Sequence, residues 1–67
     1  MPVKVLLQEV RESKGLSQND LARMTVMSLQ NIQKIEQGRA KSVTFKAMSK
    51  FCQVLECQPG DLLIYED

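Results

Sequence analysis

Two helix starts eleven residues apart constrain this 67-residue chain more than any other feature. In "LSQNDLARM", Ser17 can cap a helix with its hydroxyl, and Asp20 faces the positive end of the helix dipole and can reach back to the cap. Leu16 and Leu21 stand at the two positions of a hydrophobic staple. This helix begins at Gln18 and is short, because Thr25, Val26 and a second capping serine, Ser28, interrupt it before another helix starts in "MSLQNIQKIEQG". Two short helices joined by a tight turn are therefore expected near the middle of the chain.

On a helical wheel of about 100° per residue, the second of these helices places Ile32 and Ile35 together on a core side. Gln30, Gln33, Lys34 and Gln37 lie opposite. A merely solvated face in a chain this rich in charge would draw more on Glu and Lys than on amides. Glu36 falls near Ile32 at the margin of the buried stripe, where an unpaired carboxylate is expensive to desolvate. It needs a cation, and Arg11 is the candidate, since a guanidinium can grip a carboxylate through two hydrogen bonds. Otherwise Glu36 points to water.

A chain this short is expected to form one domain, residues 1–67, around a small core, and its hydrophobic content of 43% with 25% charged residues is that of a globular protein. Cys52 and Cys57 are the only cysteines and there is no histidine, which leaves no zinc ligand set; they read as reduced core residues of a cytoplasmic protein. No apolar run approaches the ~20 residues that span a bilayer, and the opening residues lack the apolar stretch of a signal peptide. Net charge is +1, but it is unevenly spread. Residues 1–50 hold all nine basic side chains and four acidic ones, a net +5, whereas residues 51–67 hold four acidic ones and no basic one. Such a field can orient a polyanion on one side of a small domain.

The rest of the chain also reads as helical. "VLLQEVRESKG" carries Leu6, Leu7 and Val10 on one face and ends at Gly15. After Gly38 comes a polar loop with Arg39 and Lys41, then "TFKAMSKFCQVLEC", in which Thr44 can cap a helix whose stripe is Phe45, Met48, Phe51, Cys52 and Leu55. Pro59 suits the first position of a one-turn helix carrying Leu62 and Leu63. Val3 to Val5 and the "LIY" of the tail can pair as two short strands.

Two short helices with a polar outward face on the second form the helix-turn-helix arrangement that lays its second helix into the DNA major groove. Amides both donate and accept, so Gln or Asn can read the paired donor and acceptor of adenine, while Lys reaches guanine acceptors or phosphate. A Glu-rich face would be repelled. At this point "GLSQNDLA", "SLQNIQKIEQGRAK" and "FCQVLECQPGDLL" together resemble the Cro and phage-repressor (XRE-type) helix-turn-helix family, over nearly the whole chain. The resemblance implies an all-α, five-helix, lambda-repressor-like DNA-binding domain with its helix-turn-helix at helices 2 and 3.

Carried over by position, the resemblance places Gln18 where the family holds the DNA backbone and supports base reading. Ser28, Leu29, Gln30, Asn31, Gln33 and Lys34 fall where the family faces the groove or its walls, and Arg39 and Lys41 match its phosphate-contacting loop. Ala22 matches the small residue that lets the two helices approach, Ile32 the buried aliphatic, and Arg11 with Glu36 a pair the family often joins as a salt bridge. Two positions depart from the pattern. Val26 stands where the family commonly has a positive-φ glycine, and a β-branched residue there is strained by about 1–2 kcal/mol unless the turn is remodelled. Leu29 replaces a position that is often polar; it either packs at the rim or touches a thymine methyl.

These readings point to a sequence-specific regulator of transcription that binds double-stranded DNA, a repressor rather than an activator. One domain reads few base pairs, so useful specificity implies a homodimer on two half-sites, with the exposed tail "LLIY" as a candidate contact. The rival is a protein-binding adaptor, such as an antitoxin or anti-repressor component, favoured by the modest net charge and by Val26. Enzyme chemistry has no support: there is no histidine, no nucleophile beside a base and no glycine-rich phosphate loop. No cofactor, metal or small-molecule ligand is expected.

Overall fold

The computed structural model describes residues 3–66; Met1, Pro2 and Asp67, at the ends of the expected domain, lie outside the described residues. The element order is β1 (Val3–Val5), α1 (Leu7–Ser13), α2 (Gln18–Thr25), α3 (Leu29–Glu36), α4 (Phe45–Leu55), α5 (Pro59–Leu62) and β2 (Leu63–Tyr65). Five helices thus carry the fold, and the two ends close it as an antiparallel strand pair with Val3 opposite Tyr65 and Val5 opposite Leu63.

That strand pair moves two expected boundaries. Leu6 is not on the first helix but precedes it, because its N–H donates to Leu62 C=O at 2.7 Å and extends the strand pairing into the chain. Leu63, expected on the last helix, is extended and belongs to β2. The ladder satisfies backbone groups that a longer helix would have left for capping.

Leu7, Leu21, Ile32, Ile35, Phe51, Leu55 and Leu62 form the buried core, one or two from each helix. Ala22 is buried with them, and Thr25 is accommodated there because its hydroxyl donates to Leu21 C=O at 2.7 Å. The expected stripe of α4 is only partly inside. Phe51 and Leu55 are buried and Met48 and Cys52 half-buried, but Phe45 is 92% exposed. It is the first residue of α4, next to the Thr44 cap, and stays outside the core that Phe51 and Leu55 enter. Lys50, on the same helix, is half-buried. The tail is likewise less exposed than expected: Leu62 is buried and Leu63 and Ile64 are half-buried.

Helices α1 to α4 all end with the same closure, in which an N–H bonds back to the carbonyl five residues earlier. The bonds are Leu16 to Arg11, Met27 to Ala22, Arg39 to Lys34 and Cys57 to Cys52, at 3.0–3.2 Å. This geometry requires a left-handed residue just before the donor. Gly15 and Gly38 supply it in two cases, and Val26 and Glu56 in the other two. The turn between α2 and α3 is therefore kept, with Val26 at φ 56° and ψ 41°.

Candidate nucleic-acid interface

The caps fix where α2 and α3 begin. Ser17 Oγ accepts from Asp20 N–H and Asp20 Oδ2 accepts from Ser17 N–H, both at 3.0 Å. The Ser17 backbone N–H, then its hydroxyl, holds the Asp20 carboxyl below the ordinary carboxylate range. Ser28 Oγ accepts from Asn31 N–H at 3.1 Å, so its hydroxyl is engaged by the cap of α3.

Behind α3, Arg11 Nε donates to Glu36 Oε2 at 2.7 Å and Arg11 Nη2 donates to Glu36 Oε1 at 3.2 Å. Arg11 Nη1 donates to Leu16 C=O at 2.8 Å, which ties the pair to the closure after α1. The hydrogen bond to Glu36 holds the guanidinium charged against the opposing effect of burial. Glu36 therefore does not point to water, and the sole acid on α3 is neutralised from within.

The network continues outward. Gln18 Nε2 donates to Glu36 Oε1 at 2.8 Å, and Gln33 Nε2 donates to Gln18 Oε1 at 3.4 Å. A carboxylate only accepts, so Glu36 fixes which end of the Gln18 amide faces it; Gln18 must then present its oxygen to Gln33. Gln33 is left with its own carbonyl and one N–H free of this network. It is half-buried, deeper than its place on the polar face of the wheel suggests. The sequence places one Gln at the first position of the earlier helix and another on the polar face of the next, but spacing within either helix does not join them.

Gln30, Asn31 and Lys34 are exposed on α3, as are Arg39 and Lys41 in the loop that follows. Asn31, Lys34, Arg39 and Lys41 line one shallow depression beside α3, so three cations and an amide share its wall. Gln37, on the outward face of the helical wheel, accepts from Arg39 Nε at 2.8 Å and orients it. Leu29 is half-buried against the core cluster, the packing arrangement.

A family model described as the Cro/C1-type HTH DNA-binding domain matches residues 6–67. The chain belongs to this family. A Bacillus subtilis (strain 168) relative, the uncharacterised HTH-type transcriptional regulator YozG, is 26% identical over 65 residues, which is 97% of this chain and 77% of the relative. Among solved structures, the restriction-modification controller protein C.AhdI from Aeromonas hydrophila superposes with a TM-score of 0.75 at 29% identity, over 82% of each chain. This Cro/C1-type chain is thus a DNA-binding regulator by family, and α2 and α3 are its helix-turn-helix. Among the described residues no helix is long and apolar enough to cross a membrane, and no group of three or more His, Cys, Asp or Glu could hold a metal ion.

Proposed function

We propose that this protein is a cytoplasmic, sequence-specific repressor of transcription, without enzymatic activity, that binds its operator as a homodimer and inserts α3 into the major groove. The observation that carries this reading is the surface of α3: its one acid is paired from inside, and its outward side chains are amides and a lysine beside Arg39 and Lys41. On this reading Arg39, Lys41 and Gln18 hold phosphates and set register, Ser28 and Leu29 border the groove wall, and Gln30, Asn31, Gln33 and Lys34 meet base edges. Gln33 is the residue whose role follows most directly. Its free carbonyl and N–H match the amino group and N7 of adenine, in the orientation that Gln18 leaves open.

A homodimer follows from the size of the reading surface, since one such domain covers a half-site and two spaced by about one helical turn give useful specificity. Selection of bound sequences from random duplex DNA tests the proposal. A palindromic consensus, with affinity falling steeply as salt rises, is expected. If the protein ignores every duplex at low ionic strength, the protein-binding adaptor becomes the better reading.

A further inference from the structure

The closure that ends α4 joins two cysteines. Cys57 N–H donates to Cys52 C=O at 3.1 Å across the left-handed Glu56, which keeps the two backbones at contact distance. In this type of helix end the residues so joined usually make an apolar side-chain contact. At the corresponding places α1 joins Arg11 with Leu16 and α2 joins Ala22 with Met27; in α4 the two residues joined are both cysteines. Both cysteines are free, both are half-buried, and both border a shallow surface depression with Phe45, Met48, Gln58 and Pro59. They are thus at the rim of the core, within reach of a small solute.

We infer that Cys52 and Cys57 are a redox-modifiable pair that closes to an intrachain disulfide under peroxide, clamping the turn between α4 and α5. One thiolate attacks hydrogen peroxide, breaking the O–O bond to give a sulfenic acid and water. The second sulfur attacks the sulfenic sulfur, the S–S bond forms and the hydroxyl leaves as a second water. Two thiols are oxidised and one peroxide is reduced to two waters. Burial, then the neighbouring Cys52 and Asp61, holds the Cys57 thiol above its ordinary pKa, which disfavours its thiolate and leaves Cys57 the second, resolving sulfur. No other cysteine competes, so the partner of each sulfur is the other.

The experiment treats reduced, purified full-length protein with dilute hydrogen peroxide and follows intact mass, free thiols and migration on a non-reducing gel. Both thiols should disappear together, the mass should fall by two hydrogen atoms, the chain should stay a single unit on the gel, and dithiothreitol should restore it. Cys52→Ser and Cys57→Ser should each abolish the mass loss and accumulate sulfinic acid instead, with circular dichroism reporting that the helices persist. The disulfide form should also unfold at a higher temperature than the reduced form, because the native turn already holds the two residues together. Disulfide-linked dimers or sulfinic acid as the main product of the unsubstituted protein would overturn the inference, as would a lower unfolding temperature after oxidation. None of these readings depends on DNA binding.

Discussion

Arg11 Nε sits 2.7 Å from Glu36 Oε2 in a pair whose side chains are 8% and 1% exposed, and Glu36 in turn holds the amide of Gln18. Removing one partner strands a buried charge. Glu36→Ala should therefore cost about 3–5 kcal/mol, the range for breaking buried pairs, whereas Arg11→Met with Glu36→Leu should recover most of that loss. Urea unfolding of the two variants checks this; a cost below about 1 kcal/mol for Glu36→Ala would mean that the pair behaves like an exposed one.

Val26 occupies the left-handed region and is 85% exposed, so nothing in the packing rewards its side chain. Val26→Gly removes a strain of about 1–2 kcal/mol and adds an unfolded-state entropy cost of about 0.5–1 kcal/mol. The net expectation is a gain of up to about 1.5 kcal/mol, with DNA affinity unchanged. Glu56→Gly, at φ 52°, should behave alike. A destabilised Val26→Gly protein, measured by thermal unfolding, would show that the valine makes a contribution beyond its backbone.

Phe45 and Phe51 share one stripe in the sequence and part company in the fold. Phe51→Ala should cost about 3–5 kcal/mol because it empties a core site, while Phe45→Ser should stay within about 0.5 kcal/mol. Chemical denaturation of both variants as monomers makes the comparison. Equal costs would place the two rings in equivalent environments.

The same contrast explains what was legible beforehand. Caps, staples and the isoleucine stripe are local, so Ser17, Ser28, Ile32 and Ile35 could be assigned from spacing alone, and the need of Glu36 for a cation follows from its place on the wheel. The depth of Phe45 depends on what packs over the start of α4, which no period within α4 encodes. Glu56 as a helix stop was invisible because only glycine advertises a left-handed residue. The link from Gln33 to Gln18 was hidden for another reason: it depends on the crossing of α2 and α3, a relation between elements.

Asp20 closes the cap of α2, and the Ser17 backbone N–H and hydroxyl depress its pKa in the folded state. A carboxylate with a depressed folded pKa contributes stability that is present above its unfolded value, about 3.9, and is lost as pH falls through the lower folded value. Asp20→Asn should accordingly be less stable than the unsubstituted protein at neutral pH, and the gap should narrow as pH drops below about 4. Thermal unfolding across that interval is the measurement. A gap that widens in acid would reverse the sign and remove Asp20 from the cap's electrostatics.

Gln33 owes its orientation to a residue that stands one helix away. Glu36 can only accept, so it turns the Gln18 nitrogen inward; Gln18 then offers Gln33 an oxygen, and Gln33 faces outward with a carbonyl and one N–H. If that presentation reads adenine, Gln33→Ala should lose about 1–3 kcal/mol of discrimination at one base pair per half-site, and Gln18→Ala should lose a smaller part at the same base pair. The double variant should be no worse than Gln33→Ala alone in discrimination, because Gln18 would act on the base through Gln33. Lys34→Ala, Arg39→Ala and Lys41→Ala test a different term. A cation that serves phosphate alone should, when removed, weaken binding to all sequences and lower the salt slope by about 0.9. Binding curves on the selected operator and its single-base variants separate the two patterns, and additive discrimination losses for Gln18 and Gln33 would mean that the amides read DNA independently.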